Sequence, residues 1–163
     1  MNPIVTAIET RSGKSLFLHE PGGTEKIYVY NTLCYFSRDQ RKFILCVASS
    51  GIAILLLIGS STFHFTFKFL IKIYKSSLCA IPRNFNQAEL IYIIHLVIWD
   101  KALLQYCHVY EAVDRSFRNI RICEDKVFRG LIVVFRGDFK QILPVIVKDS
   151  QPRIIGACLQ KSQ

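Results

Sequence analysis

A lysine closing a glycine-bearing turn and a carboxylate closing an apolar strand are the residues of this chain with the clearest chemistry. The first lies in Glu20-Pro21-Gly22-Gly23-Thr24-Glu25-Lys26-Ile27, between an apolar stretch and a helical one. In the phosphate-loop template G-x-x-x-x-G-K-[ST], glycines let backbone amides approach phosphates, the lysine reaches the terminal phosphates and the hydroxyl ligates magnesium. Lys26 keeps the lysine position, but Glu20 and Glu25 stand at the glycines and Ile27 at the hydroxyl. Read alone, the stretch is equally a strand–turn–helix corner with a surface lysine. Gly13-Lys14-Ser15 has a similar ending, but Ile8 stands at its first glycine and it precedes the strand, so it reads as a turn. The carboxylate is Asp100, reached through Leu96-Val97-Ile98-Trp99. That order puts it at the carboxyl end of a buried parallel strand, where open α/β sheets bind ligands.

Two further patterns carry weaker chemistry. Phe63, Phe65, Phe67 and Phe69 alternate, with Lys68, Lys72 and Lys75 nearby. This suits either an aromatic and basic platform for single-stranded DNA or, more commonly, one face of a core. Cysteines at 34, 46, 79, 107, 123 and 158 form no C-x-x-C pair and have no histidine at the usual metal spacing, which argues against zinc.

Positioning these groups requires alternating strands and helices. Residues 15–19 read as a strand, 21–23 as a turn and 24–33 as a helix whose first amides face the turn. After a polar turn at Arg38-Asp39-Gln40, residues 43–48 are continuously apolar, as a strand buried on both faces would be. Ser49 or Ser50 is placed to cap a short helix through Ile58. Residues 76–85 form a loop, and Asn86-Gln87-Ala88-Glu89 has the spacing of a capping box opening a helix to about Ile94. Leu103, Tyr106, Tyr110, Val113, Phe117 and Ile120 predict an amphipathic helix over 102–120, with Glu111 and Arg115 paired on its surface. Residues 131–135 are a further apolar strand. Such alternation argues for a doubly wound parallel sheet.

At 163 residues the chain matches one domain and can bury a core without disulfides or metal. A net charge of +9 favours an anionic partner, nucleic acid or an acidic membrane surface. Residues 43–67 carry no formal charge and are long enough to cross a bilayer, which keeps a small membrane protein as an alternative. Ser49-Ser50-Gly51 and Gly59-Ser60-Ser61-Thr62 divide that run into pieces of strand or buried-helix length, so no span is expected. The start of the chain lacks a basic-then-apolar secretory signal, so the protein is not expected to be secreted and its thiols are expected to be reduced and mostly buried.

Six ordered blocks carry a resemblance: PGGTEK at 21–26 with YNTL at 30–33, VASSGIA at 47–53, Thr62 and His64 followed by Phe67-Lys68, LVIWDKA at 96–102, EAVDRSFRNI at 111–120 and GDFKQILPVI at 137–146. The chain resembles the first motor domain of the Pif-type (petite integration frequency) ATP-dependent DNA helicases, particularly the copies carried by Helitron transposons. The resemblance implies a three-layer RecA-like P-loop NTPase domain with a mainly parallel sheet, spanning 1–163. It implies ATP and Mg2+ as cofactors, with Pro21, Gly22, Gly23, Thr24 and Lys26 around the phosphates, Asp100 holding magnesium through water and Gln141 sensing the γ-phosphate. Ser49, Ser50, Gly51, Thr62, His64 and Phe67 would lie along single-stranded DNA. The family's activity is ATP-driven 5′-to-3′ unwinding in repair, recombination, telomere maintenance or transposition. That implies a nuclear location, or a mitochondrial one, and leaves the oligomeric state open.

The departures cluster around one nucleotide. Glu20, Glu25 and Arg136 replace family glycines, Ile27 a threonine, and Lys101 the glutamate that activates water. The sequence also stops soon after GDFKQILPVI, so the expectation is a truncated, decayed copy without its own ATPase activity. A non-enzymatic basic α/β protein that binds nucleic acid weakly is the competing class.

Overall fold

The computed structural model describes residues 15–19, 26–55, 59–69, 73–82, 84, 86–121 and 127–138. Five strands form one sheet: β1 (Ser15–His19), β2 (Ile44–Ala48), β3 (Ser61–Thr62), β4 (Leu96–Asp100) and β5 (Ile132–Gly137). Their order is β1-β5-β4-β2-β3, and every pairing is parallel. The helices are α1 (Lys26–Asp39), α2 (Gly51–Ile54), α3 (Phe63–Phe67), α4 (Asn86–Ile93) and α5 (Cys107–Arg121).

The central strands are continuous apolar runs because both of their faces are covered. Alternation sorts their side chains into two cores. Val97, Trp99, Val133 and Phe135 pack with Phe63, Phe67, Tyr110, Val113 and Phe117 on the α3–α5 side. Leu96, Ile98, Ile132 and Val134 pack with Tyr30, Leu33 and Cys34 of α1 on the other. Helices on both faces make three layers, as expected. The register sets Trp99 opposite Phe135 and Ala48 opposite Asp100, so the chemistry-bearing residues that follow these pairs share one edge.

Several boundaries differ from expectation. Helix α1 runs on to Asp39, because Cys34 and Ser37 continue its buried stripe, and it ends where Arg41 turns left-handed at φ 55°. Helix α2 stops at Ile54, and residues 56–58 lie outside the described part. Phe63–Phe67 form a short helix: Thr62 caps it by accepting a bond from Phe65 N at 3.1 Å, and Phe63 and Phe67 face the core. Asn86 is the first residue of α4 itself. The expected helix over 102–120 is broken: Lys101 is left-handed (φ 51°), Ala102–Leu104 make a 3-10 turn, Gln105 is extended, and α5 begins at Cys107. Among the described residues no helix is long and apolar enough to cross a membrane, and the uncharged run is divided among β2, α2, β3 and α3.

The turn after β4 explains one glycine. A methyl group on Gly137 would lie 2.6 Å from Leu103 Cγ, so β5 can pass the 3-10 turn only without a side chain there. Gly137→Ala is expected to destabilise the domain by about 1–3 kcal/mol through overpacking. Urea denaturation checks this, and a loss below about 0.5 kcal/mol would show that Leu103 yields freely.

Candidate functional site

Strand β5 lies between β1 and β4, so its carboxyl end separates that of β1 from Asp100. Asp100 is 3% exposed. Its Oδ1 receives Arg136 Nη1 at 3.0 Å, and the same guanidinium stacks on Tyr30 of α1, 5.0 Å from the ring centroid. Alternation along β4 and β5 places this pair on the α1 face, the face on which Lys26 opens α1. Charge-assisted bonding and the Tyr30 ring together hold Arg136 in place.

This geometry decides whether magnesium, which the resemblance implies, fits. Asp100 already has a cation on its carboxylate, Lys101 follows it, and Ile27 offers no oxygen. A divalent ion about 4 Å from the guanidinium would meet repulsion of roughly 8 kcal/mol at an effective dielectric of 20. The described residues at this edge do not fit Mg2+. Pro21, Gly22, Gly23, Thr24 and Gln141, and the side chain of Lys26, lie outside the described residues.

The six residues matched to a DNA path gather at the carboxyl ends of β2 and β3. Ser49 is tied to the nucleotide edge twice: its amide donates to Asp100 O at 3.1 Å, and Trp99 Nε1 donates to its Oγ at 3.3 Å. Ser50 follows, and Gly51 opens α2 with nothing within 4 Å of where a Cβ would stand. Thr62 is committed to capping α3, and its carbonyl accepts from Thr66 Oγ1 at 3.0 Å. His64 is exposed, and the partial burial of its ring lowers its pKa below the ordinary value. Phe67 is 0% exposed and packs on Trp99 and Phe117, so it supports the segment from beneath. The available ring is Phe65, 64% exposed, with Lys68 Nζ 4.4 Å from its centroid.

One cluster escaped the spacing argument because its residues share a single helix. Cys107 Sγ and Glu111 Oε2 lie 3.8 and 2.9 Å from His108 Nδ1. Three ligand atoms within 4.8 Å of one another have metal-ligand chemistry. Both contacts use the same ring nitrogen, so the group cannot relay a proton as a nucleophilic triad does. Glu111 therefore pairs first with His108, and Arg115 stands farther off at 4.0 Å. Cys34, Cys46, Cys79 and Cys107 are buried and unbridged. Burial pushes the Cys79 thiol up to about 11.

The fold is similar to that of several solved proteins. Pif1 helicase from Candida albicans superposes with a TM-score of 0.77 at 23% identity, covering 100% of this chain and 36% of its own. Bacteroides Pif1 bound to single-stranded DNA gives 0.76 at 21%, covering 98% and 37%. Bacteroides Pif1 in complex with ADP-AlF4 gives 0.67 at 23%, covering 94% and 34%. The chain thus spans about a third of the length of the structures it matches, and their RecA-like fold is its fold. No curated protein matches. The family model described as PIF1-like helicase matches residues 1–163, and the chain belongs to that family.

Proposed function

We propose that residues 1–163 are the first motor domain of an ATP-dependent 5′-to-3′ DNA helicase, and that in this chain the domain holds single-stranded DNA without turning over ATP. The observation that carries the reading is Arg136 on Asp100 at 3.0 Å. The residue that would hold magnesium in the family is instead neutralised from within the fold. Lys26 remains the candidate contact to the β- and γ-phosphates and Gln141 the γ-phosphate sensor, both by resemblance. The matched Bacteroides structures include complexes with single-stranded DNA and with ADP-AlF3 and single-stranded DNA, which supports both ligands for the ancestral site. A nuclear location goes with this reading.

DNA contact is assigned to Ser49, Ser50, Gly51, Thr62 and His64, with Phe65 as the stacking ring in place of Phe67. Gly51 supports this, because packing leaves room for a side chain there and a backbone approached closely by DNA does not. Fluorescence anisotropy with a labelled single-stranded oligonucleotide tests the assignment. Affinity is expected to fall as salt rises, since a chain of net charge +9 releases counterions on binding phosphates. Phe65→Ala is expected to cost about 1–3 kcal/mol, the worth of one stacked base. Salt-independent affinity, or an unchanged Phe65→Ala variant, sinks the proposed surface.

A further inference from the structure

Helix α5 opens on Cys107-His108, and Glu111 follows one turn later. Spacings of i to i+4 and i to i+3 bring Cys107 and His108 each beside Glu111. Cys107 Sγ lies 3.8 Å and Glu111 Oε2 2.9 Å from His108 Nδ1, and the ligand atoms of the three residues fall within 4.8 Å of one another. Around a tetrahedral Zn2+ with bonds of about 2.0–2.3 Å, such atoms stand roughly 3.3–3.7 Å apart, so side-chain shifts of about 1 Å or less complete the geometry. An ion pair between His108 and Glu111 accounts for the shorter contact alone. Nδ1 carries at most one proton, and it cannot serve both a carboxylate and a sulfur. Three electron-pair donors therefore converge where one ring proton is available.

A thiolate and a carboxylate together match the charge of a divalent ion, and sulfur, imidazole and carboxylate in one set favour Zn2+ over Mg2+ or Ca2+. The nearest cation is Arg115, whose Nη1 is 4.0 Å from Glu111 Oε2 while its Nε and Nη2 donate to Ser77 O at 3.3 and 2.8 Å. That carbonyl holds most of the guanidinium away from the cluster. An ion can reach the site from solvent, because the side chain of His108 is 39% exposed and that of Glu111 15%. Glu111 also borders an open surface hollow of about 270 Å3, shared with Asp114, Arg115 and Arg118. Cys107, 6% exposed, closes the cluster from beneath. We infer that Cys107 Sγ, His108 Nδ1 and a Glu111 carboxylate oxygen bind Zn2+, with water in the fourth position. Binding releases the thiol proton to solvent and leaves the ring proton on Nε2. Cysteine spacing argues against zinc only because it does not count a set held within one helical turn. The site is independent of the nucleotide edge, and it stands whether or not that edge binds ATP.

Titration of the whole chain, kept reduced with a phosphine, with Co2+ and then with Zn2+ tests this. Co2+ is expected to raise a thiolate-to-cobalt charge-transfer band together with the intense visible bands of four-coordinate geometry, and Zn2+ to displace both. Cys107→Ser is expected to abolish the charge-transfer band, which separates this site from the cysteines at 34, 46, 79, 123 and 158. His108→Ala and Glu111→Gln are each expected to weaken Zn2+ by at least about tenfold, since even the outer partners of metal ligands are worth about 10–100-fold. Should Cys107→Ser fail to fold, these two variants at partly exposed positions carry the test. No charge-transfer band at millimolar Co2+, a full band in Cys107→Ser, or undiminished Zn2+ affinity in either His108→Ala or Glu111→Gln overturns the site.

Discussion

No DNA-stimulated ATP hydrolysis is expected from this chain, because the parts missing from its nucleotide edge are independent of one another. Ile27 removes a hydroxyl, Lys101 puts a cation where the resemblance calls for a general base, and Arg136 occupies the Asp100 carboxylate. Placed at the phosphates, as the resemblance implies, Glu20 and Glu25 would add repulsion of up to about 4 kcal/mol for each carboxylate–phosphate pair at 4 Å and an effective dielectric of 20. Restoring Glu20→Gly, Glu25→Gly, Ile27→Thr, Lys101→Glu and Arg136→Gly together is expected to recover nucleotide binding, measured with a fluorescent ADP analogue. A coupled phosphate-release assay on the unmodified chain reads the first outcome. Steady turnover there would show that the lesions were misjudged.

The elements that build the site were largely legible because they are local. Continuous apolar runs mark β2, β4 and β5 and place Asp100 at a strand end without reference to any other residue. What local pattern does not carry is the partner that a distant strand supplies. Arg136 reads as one departure among five, and only the β4–β5 pairing brings it onto Asp100. Phe67 was misplaced for a related reason. Alternation and a one-turn helix both fit four spaced phenylalanines, and the Thr62 cap, set by tertiary placement, selects the helix and buries the ring. The break after Lys101 was hidden because Leu103 and Tyr106 keep helical spacing while the close approach of Gly137 to Leu103 shapes the turn.

Asp100→Asn is expected to destabilise the domain by about 3–5 kcal/mol, the cost of stranding one member of a buried ion pair. The amide would leave the Arg136 guanidinium, whose side chain is 17% exposed, without its carboxylate. Arg136→Met alone is expected to cost a similar amount, because it strands a carboxylate that is almost wholly enclosed. The double variant is expected to recover most of the loss, since replacing both members of a buried pair is often near neutral. The coupling energy from this cycle is the stability that the ion pair adds to the fold. Urea denaturation at low and high salt provides the measurement, and salt should change the coupling little, because buried pairs are screened weakly. If Asp100→Asn stays within about 0.5 kcal/mol of the parent, as substitutions away from such features do, the pair is ornamental and Asp100 is free to serve a nucleotide. A large coupling would instead mean that the site cannot regain a metal at Asp100 without first giving up stability, which makes the change at 136 the step that closes the route back to catalysis.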